Sequence, residues 1–90
     1  MKTNKPYSMN DVETIKIQCK KSGREVVDGC VDLAIQFSDE DGAVRRRELR
    51  TGINGSGNNV WLVSTFYNGV CNWIETFKTE NEAINWMVWC

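Results

Sequence analysis

Arg45, Arg46, Arg47 and Arg50, crowded into one short run, come nearest to a recognisable chemistry in this 90-residue chain. Guanidinium groups bind carboxylates and phosphates through paired N–H donors, so such a run points to an anionic partner. Lys16, Lys20, Lys21 and Arg24 could complete a basic face. If Trp61 or Tyr67 were exposed beside it, the sheet could stack unpaired bases. Two features weigh against that use. The RNP-type aromatic pattern is absent, and the acidic turn Asp39-Glu40-Asp41 abuts the basic strand. Single-stranded nucleic-acid binding is therefore the second reading, below protein binding.

Other chemistries find fewer residues to work with. The chain has no histidine, so a thiol lacks its usual base. The carboxylates of Asp39, Glu40 and Asp41 sit in a turn, where solvation explains them better than acid–base work. The glycine-rich stretch Gly52 to Gly57 lacks the Lys-Ser/Thr of a phosphate loop and precedes a strand, not a helix. Cys19, Cys30, Cys71 and Cys90 show no close pair of the kind zinc sites use. Cys19 and Cys71 read instead as small buried hydrophobes, and all four thiols as reduced. No catalytic residue, cofactor or metal ligand is expected, and the chain is read as not an enzyme.

Composition sets the frame that must position these residues. A hydrophobic share of 41% with 26% charged residues describes one ordinary globular domain. Eleven basic residues against twelve acidic ones give no overall field to draw in nucleic acid or a membrane. No apolar run approaches the ~20 residues that cross a bilayer, and the polar N-terminus lacks a signal-peptide core. A cytoplasmic location without membrane contact is expected.

Residues 1–11 are polar, carry the only proline and show no period, which predicts a mobile arm ahead of a single domain over 12–90. Ile15, Ile17 and Cys19 alternate with polar residues and predict a strand over Val12 to Lys20. Turn signals compete between 21 and 29. Val31, Leu33, Ile35 and Phe37 predict a second strand with one apolar face. The arginine run follows as a third strand, polar enough to sit at a sheet edge, where charge discourages aggregation.

The richest stretch is Val60 to Cys90, which holds all four tryptophans. Asn68-Gly69 between two β-rich runs predicts a type I′ hairpin. Uninterrupted pairing would set Tyr67 against Val70, Phe66 against Cys71 and Trp61 against Thr76. One face would then carry Val60, Leu62, Phe66, Cys71, Trp73 and Phe77, the other Trp61, Val63, Tyr67, Val70 and Ile74. Thr79 with Glu82 forms a capping box that starts a helix near Glu80. Ala83, Ile84, Met87 and Val88 form its inward stripe, with Trp86 and Trp89 beside it.

The fold class expected is α+β, a single antiparallel sheet of about five strands with one C-terminal helix packed on it. No family is carried by identifiable residues. In general form, a short near-neutral chain with one sheet, a helix and no catalytic constellation, it resembles the small phage-encoded inhibitors of bacterial defence, such as anti-CRISPR proteins, and toxin-immunity proteins. That resemblance implies a non-enzymatic module that binds a protein target. Arg45, Arg46, Arg47, Arg50, Trp61, Tyr67, Trp86 and Trp89 are the expected partner-binding residues, and a second copy of the chain is an alternative partner.

Overall fold

The structure, a computed structural model, describes residues 9–90. In chain order the elements are α1 (Met9–Lys21), β1 (Glu25–Val27), β2 (Leu33–Ser38), β3 (Val44–Ile53), β4 (Asn59–Tyr67), β5 (Val70–Phe77) and α2 (Glu80–Trp89). The strands form one antiparallel sheet in sequence order, β1 to β5, with each strand hydrogen-bonded to its neighbours in the chain. This is the expected α+β meander with its C-terminal helix, and a second helix is added.

That second helix replaces the strand expected over Val12 to Lys20. Val12, Ile15 and Cys19 fall three and four apart, on one helical face, and Ile15 and Cys19 are buried. Ile17, which the alternating pattern placed inward with them, is 58% exposed because two residues along a helix point to nearly opposite sides. Lys20 and Lys21 close the last turn, and Gly23 at φ 77° takes the left-handed conformation beyond it. Arg24 N–H then returns to Cys19 O at 2.7 Å. Most of the arm expected over 1–11 lies outside the described residues, while Met9 to Asp11 belong to α1.

With α1 removed from the sheet, the fifth strand is the short β1, and β3 moves to the centre. The arginine strand is therefore not an edge. It pairs with β2 on one side and along nearly its whole length with β4 on the other. Both helices meet one face of the sheet. There Ile15 and Cys19 of α1 and Ala83, Ile84, Met87 and Val88 of α2 bury Leu33, Ile35, Leu49 and Val63. Burying a side chain of this kind contributes roughly 1.5–3 kcal/mol. The opposite face carries no helix among the described residues.

The Asn68-Gly69 turn forms as expected, with φ of 48° and 87°, and Tyr67 pairs with Val70 and Phe66 with Cys71. Asn72 then has no partner: Thr65 pairs with Trp73, Ser64 with Ile74, Val63 with Glu75 and Trp61 with Phe77. One extra residue turns every later side chain of β5 to the other face. Trp73 and Phe77 consequently lie on the helix-bearing face with Trp61 and Val63, and Ile74 lies on the open one. The face assignment expected from unbroken pairing fails at this bulge. Cys71 holds its register with Phe66 but is exposed, not buried, because no helix among the described residues covers the open face.

α2 begins where the capping box placed it. Thr79 Oγ1 accepts from Glu82 N–H at 3.2 Å and donates to Glu82 Oε1 at 2.8 Å. Ala83, Ile84, Met87 and Val88 are buried as the stripe predicts.

Candidate functional site

The arginines are divided by the pleat. Successive side chains on a strand point to opposite faces, so Arg45 and Arg47 stand on the helix side and Arg46 and Arg50 on the open side. On the open side Glu48 lies between the two and accepts from Arg46 Nε at 2.8 Å and Arg50 Nη2 at 3.2 Å. Arg46 Nη2 also donates to Asp28 O at 2.7 Å. Arg45 pairs with Asp39 at 3.2 Å and stacks its guanidinium 4.8 Å from the Tyr67 ring centroid. Removal from water pushes the Asp39 carboxyl up. The Ala43 N–H, the Arg45 side chain and the Asp41 N–H outweigh that effect and hold it below its ordinary 3.8.

Arg47 is only 7% exposed and serves α2. Its Nη1 donates to Trp86 O at 2.9 Å and Met87 O at 3.2 Å, and its Nη2 to Cys90 O at 3.1 Å. Arg24 joins it on Met87 O and Cys90 O. The carbonyls that end a helix run out of partners within it and carry partial negative charge; two guanidiniums answer that charge here, beside the Cys90 N–H that also reaches Trp86 O at 3.0 Å. Arg47 also lies 4.1 Å from the Trp86 ring centroid and 5.1 Å from that of Phe37. Burial and the charge of Arg24 lower its pKa to about 10, so it stays a cation at neutral pH.

The expected partner-binding set is thus not one surface. Trp61 is half-buried at the core margin, beside Phe77. Trp86 is half-buried, 5.7 Å from the Phe77 ring. Trp89 is 51% and Tyr67 36% exposed. Trp86 lines two cavities. One of about 280 Å³ is bounded by Arg45, Arg47, Thr65, Asn72, Trp73 and Trp86, and one of about 390 Å³ by Phe77, Glu82, Asn85, Trp86, Trp89 and Cys90.

Sequence reasoning missed the exposure of strand β5, whose Asn72 and Trp73 line the first cavity and whose Phe77 lines the second. β5 is an edge, and every residue from Val70 to Ile74 is exposed, with Val70 at 68%, Trp73 at 58% and Ile74 at 60%. An edge strand presents a row of unpaired N–H and C=O groups, which proteins usually guard with charge or proline. Val70-Cys71-Asn72-Trp73-Ile74 contains neither. That uncharged run in the last strand of a meander was the available signal.

Thiol reactivity follows from the same burial map. Cys30, Cys71 and Cys90 are exposed and Cys19 is fully buried, with burial pushing its thiol pKa up against the opposing pull of Arg24. A thiol reagent applied to the native protein under non-reducing conditions should label the three exposed cysteines promptly. Cys19 should react only on unfolding, bringing the total to four.

With this geometry in hand, comparison with known proteins adds no relative: no family model, curated protein or solved structure matches the chain.

Proposed function

We propose that this protein is a non-enzymatic binding module that captures an extended segment of a partner protein along β5, and that it acts as an inhibitor by occluding its target. The observation that carries this reading is the unguarded edge from Val70 to Ile74, exposed and free of charge and proline. Adding a partner strand supplies main-chain hydrogen bonds, while Trp73 on one face and Ile74 on the other supply apolar contact. A target in bacterial defence, nucleic-acid handling or toxin action fits the general form of the chain. Nucleic acid ranks lower as a partner, because Arg45, Arg46 and Arg50 are engaged with Asp39 and Glu48 and Arg47 with α2.

The test replaces Ile74, on the open face, with lysine. A protein retained by the wild-type chain from bacterial lysate should be identified, purified and titrated against both forms. Ile74→Lys should weaken that one-to-one complex by about thirtyfold or more, with thermal unfolding unchanged. Doubling of the mass in light scattering, abolished by the same substitution, would make the partner a second copy. Equal binding by wild type and Ile74→Lys would defeat the edge-strand reading. Salt-sensitive retention on single-stranded DNA, lost in Arg46→Gln and Arg50→Gln, would favour nucleic acid instead.

A further inference from the structure

The two edges of the sheet are unlike. β1 is three residues long and begins on Glu25, whereas β5 runs for eight residues and is uncharged from Val70 to Ile74. A short, charged edge discourages pairing and a longer, uncharged one invites it. Trp73 and Ile74, 58% and 60% exposed, stand on opposite faces of that edge. A second copy of the chain brings the same strand already ordered in its β4–β5 hairpin, so it pairs without the entropy that a disordered segment gives up. The order of residues along β5 also fits itself.

A two-fold axis perpendicular to the sheet makes such a pairing antiparallel and keeps the helices of both copies on one side. An axis at Trp73 or nearer the turn centres the pairing on the bulge, where the two strands fall out of phase. An axis at Glu75 sets two carboxylates face to face, which is destabilising. An axis at Thr76 sets Ile74 against Lys78 and leaves Trp73 opposite Thr79, beyond the end of the strand. An axis at Ile74 avoids all three faults. It joins Ile74 to its own copy on the open face and sets Trp73 opposite Glu75 on the helix side. Trp73 Nε1 already donates to Glu75 Oε1 of its own chain at 3.2 Å, so each carboxylate then lies against an indole from both chains.

We propose that β5 pairs with β5 of a second copy about an axis at Ile74, closing two five-stranded sheets into one of ten strands and occupying the edge until a target displaces it. This rests on the pairing edge of the proposed function and names its resident occupant. A short strand pair with one large indole from each copy lies at or below the ~1,200 Å² of total buried surface where stable complexes begin, so the dimer is reversible and a target can compete for the edge.

Analytical ultracentrifugation of the full chain should show a mass that rises with concentration from 10.3 kDa toward twice that value. Ile74→Lys, which sets two ammonium groups on the axis, should weaken the association about tenfold or more while its unfolding curve in dilute solution matches that of the wild type. Disulfide trapping with glutathione disulfide reads the register, in a chain carrying Cys30→Ser, Cys71→Ser and Cys90→Ser. Ile74→Cys in that background should link two copies, because directly opposed strand residues lie ~5.5 Å apart. Thr76→Cys should not, because its copies are offset along the strands beyond the ~7 Å that a disulfide spans. A mass of 10.3 kDa at every concentration, a dimer that Ile74→Lys leaves intact, linkage of Thr76→Cys alone, or linkage only in a mixture of Ile74→Cys and Thr76→Cys would each overturn the proposal. Strand capture is tested apart from it. A monomeric wild type whose lysate partner is lost in Ile74→Lys overturns the dimer and leaves capture standing. Equal binding of that partner by the disulfide-locked Ile74→Cys dimer upholds the dimer and defeats capture along β5.

Discussion

Arg47→Ala should lower folding stability by about 3–5 kcal/mol, the largest loss expected from any single polar side chain here. The change removes three charge-assisted hydrogen bonds, to the Trp86, Met87 and Cys90 carbonyl oxygens, and a cation 4.1 Å from the Trp86 ring. Hydrogen bonds to a charged group contribute roughly 1.5–3 kcal/mol each, and the loss is moderated because Arg24 stays on Met87 O and Cys90 O and the Cys90 N–H on Trp86 O. Against a typical total of ~5–15 kcal/mol, that loss approaches unfolding. Arg47→Lys should recover part of it, since an ammonium keeps the charge but cannot fork to three carbonyls. Urea denaturation measures the difference. An Arg47→Ala unfolding free energy within about 1 kcal/mol of wild type would mean that α2 does not depend on this side chain.

The tryptophans should separate into two pairs. Trp61 and Trp86 pack against the core cluster, and alanine at either should cost about 3 kcal/mol, a fall of about 12–24 °C in Tm for a domain this size. Trp73 and Trp89 are 58% and 51% exposed, and alanine there should change Tm little. Trp73→Ala should nonetheless weaken partner binding by about 2 kcal/mol or more, because an exposed indole at an open strand edge has the character of an interface hot spot. Differential scanning calorimetry and the titration used for Ile74→Lys give the two readouts. If Trp73→Ala unfolds the protein, or Trp86→Ala leaves Tm unchanged, the division between core and surface is wrong.

The elements legible in the sequence are those whose physics is local. Thr79 and Glu82 begin α2, and the spacing of Ala83, Ile84, Met87 and Val88 sets its buried face. Asn68-Gly69 turns the last hairpin because these two residues tolerate positive φ. The alternation of Leu33, Ile35 and Phe37 marks β2 as a strand and puts Leu33 and Ile35 on its core face, while the burial of Ala34 on the other face was not legible. Each rests on neighbours within a few positions, so the chain determined them by itself.

Tertiary structure decided the rest. Residues 12–19 satisfy a period of two through Ile15, Ile17 and Cys19 and a helical period through Val12, Ile15 and Cys19. Burial against α2 and the sheet selects the helix. The bulge at Asn72, which moves Trp73 to the helix side, depends on β4 pairing and has no turn residue to announce it. Arg47 is surrounded because β3 lies at the sheet centre, beneath carbonyls 39 and 40 residues along the chain. Charge in a sequence reads as surface, since burying an unpaired cation is costly. Only the folded chain supplies the distant acceptors that make this burial tolerable.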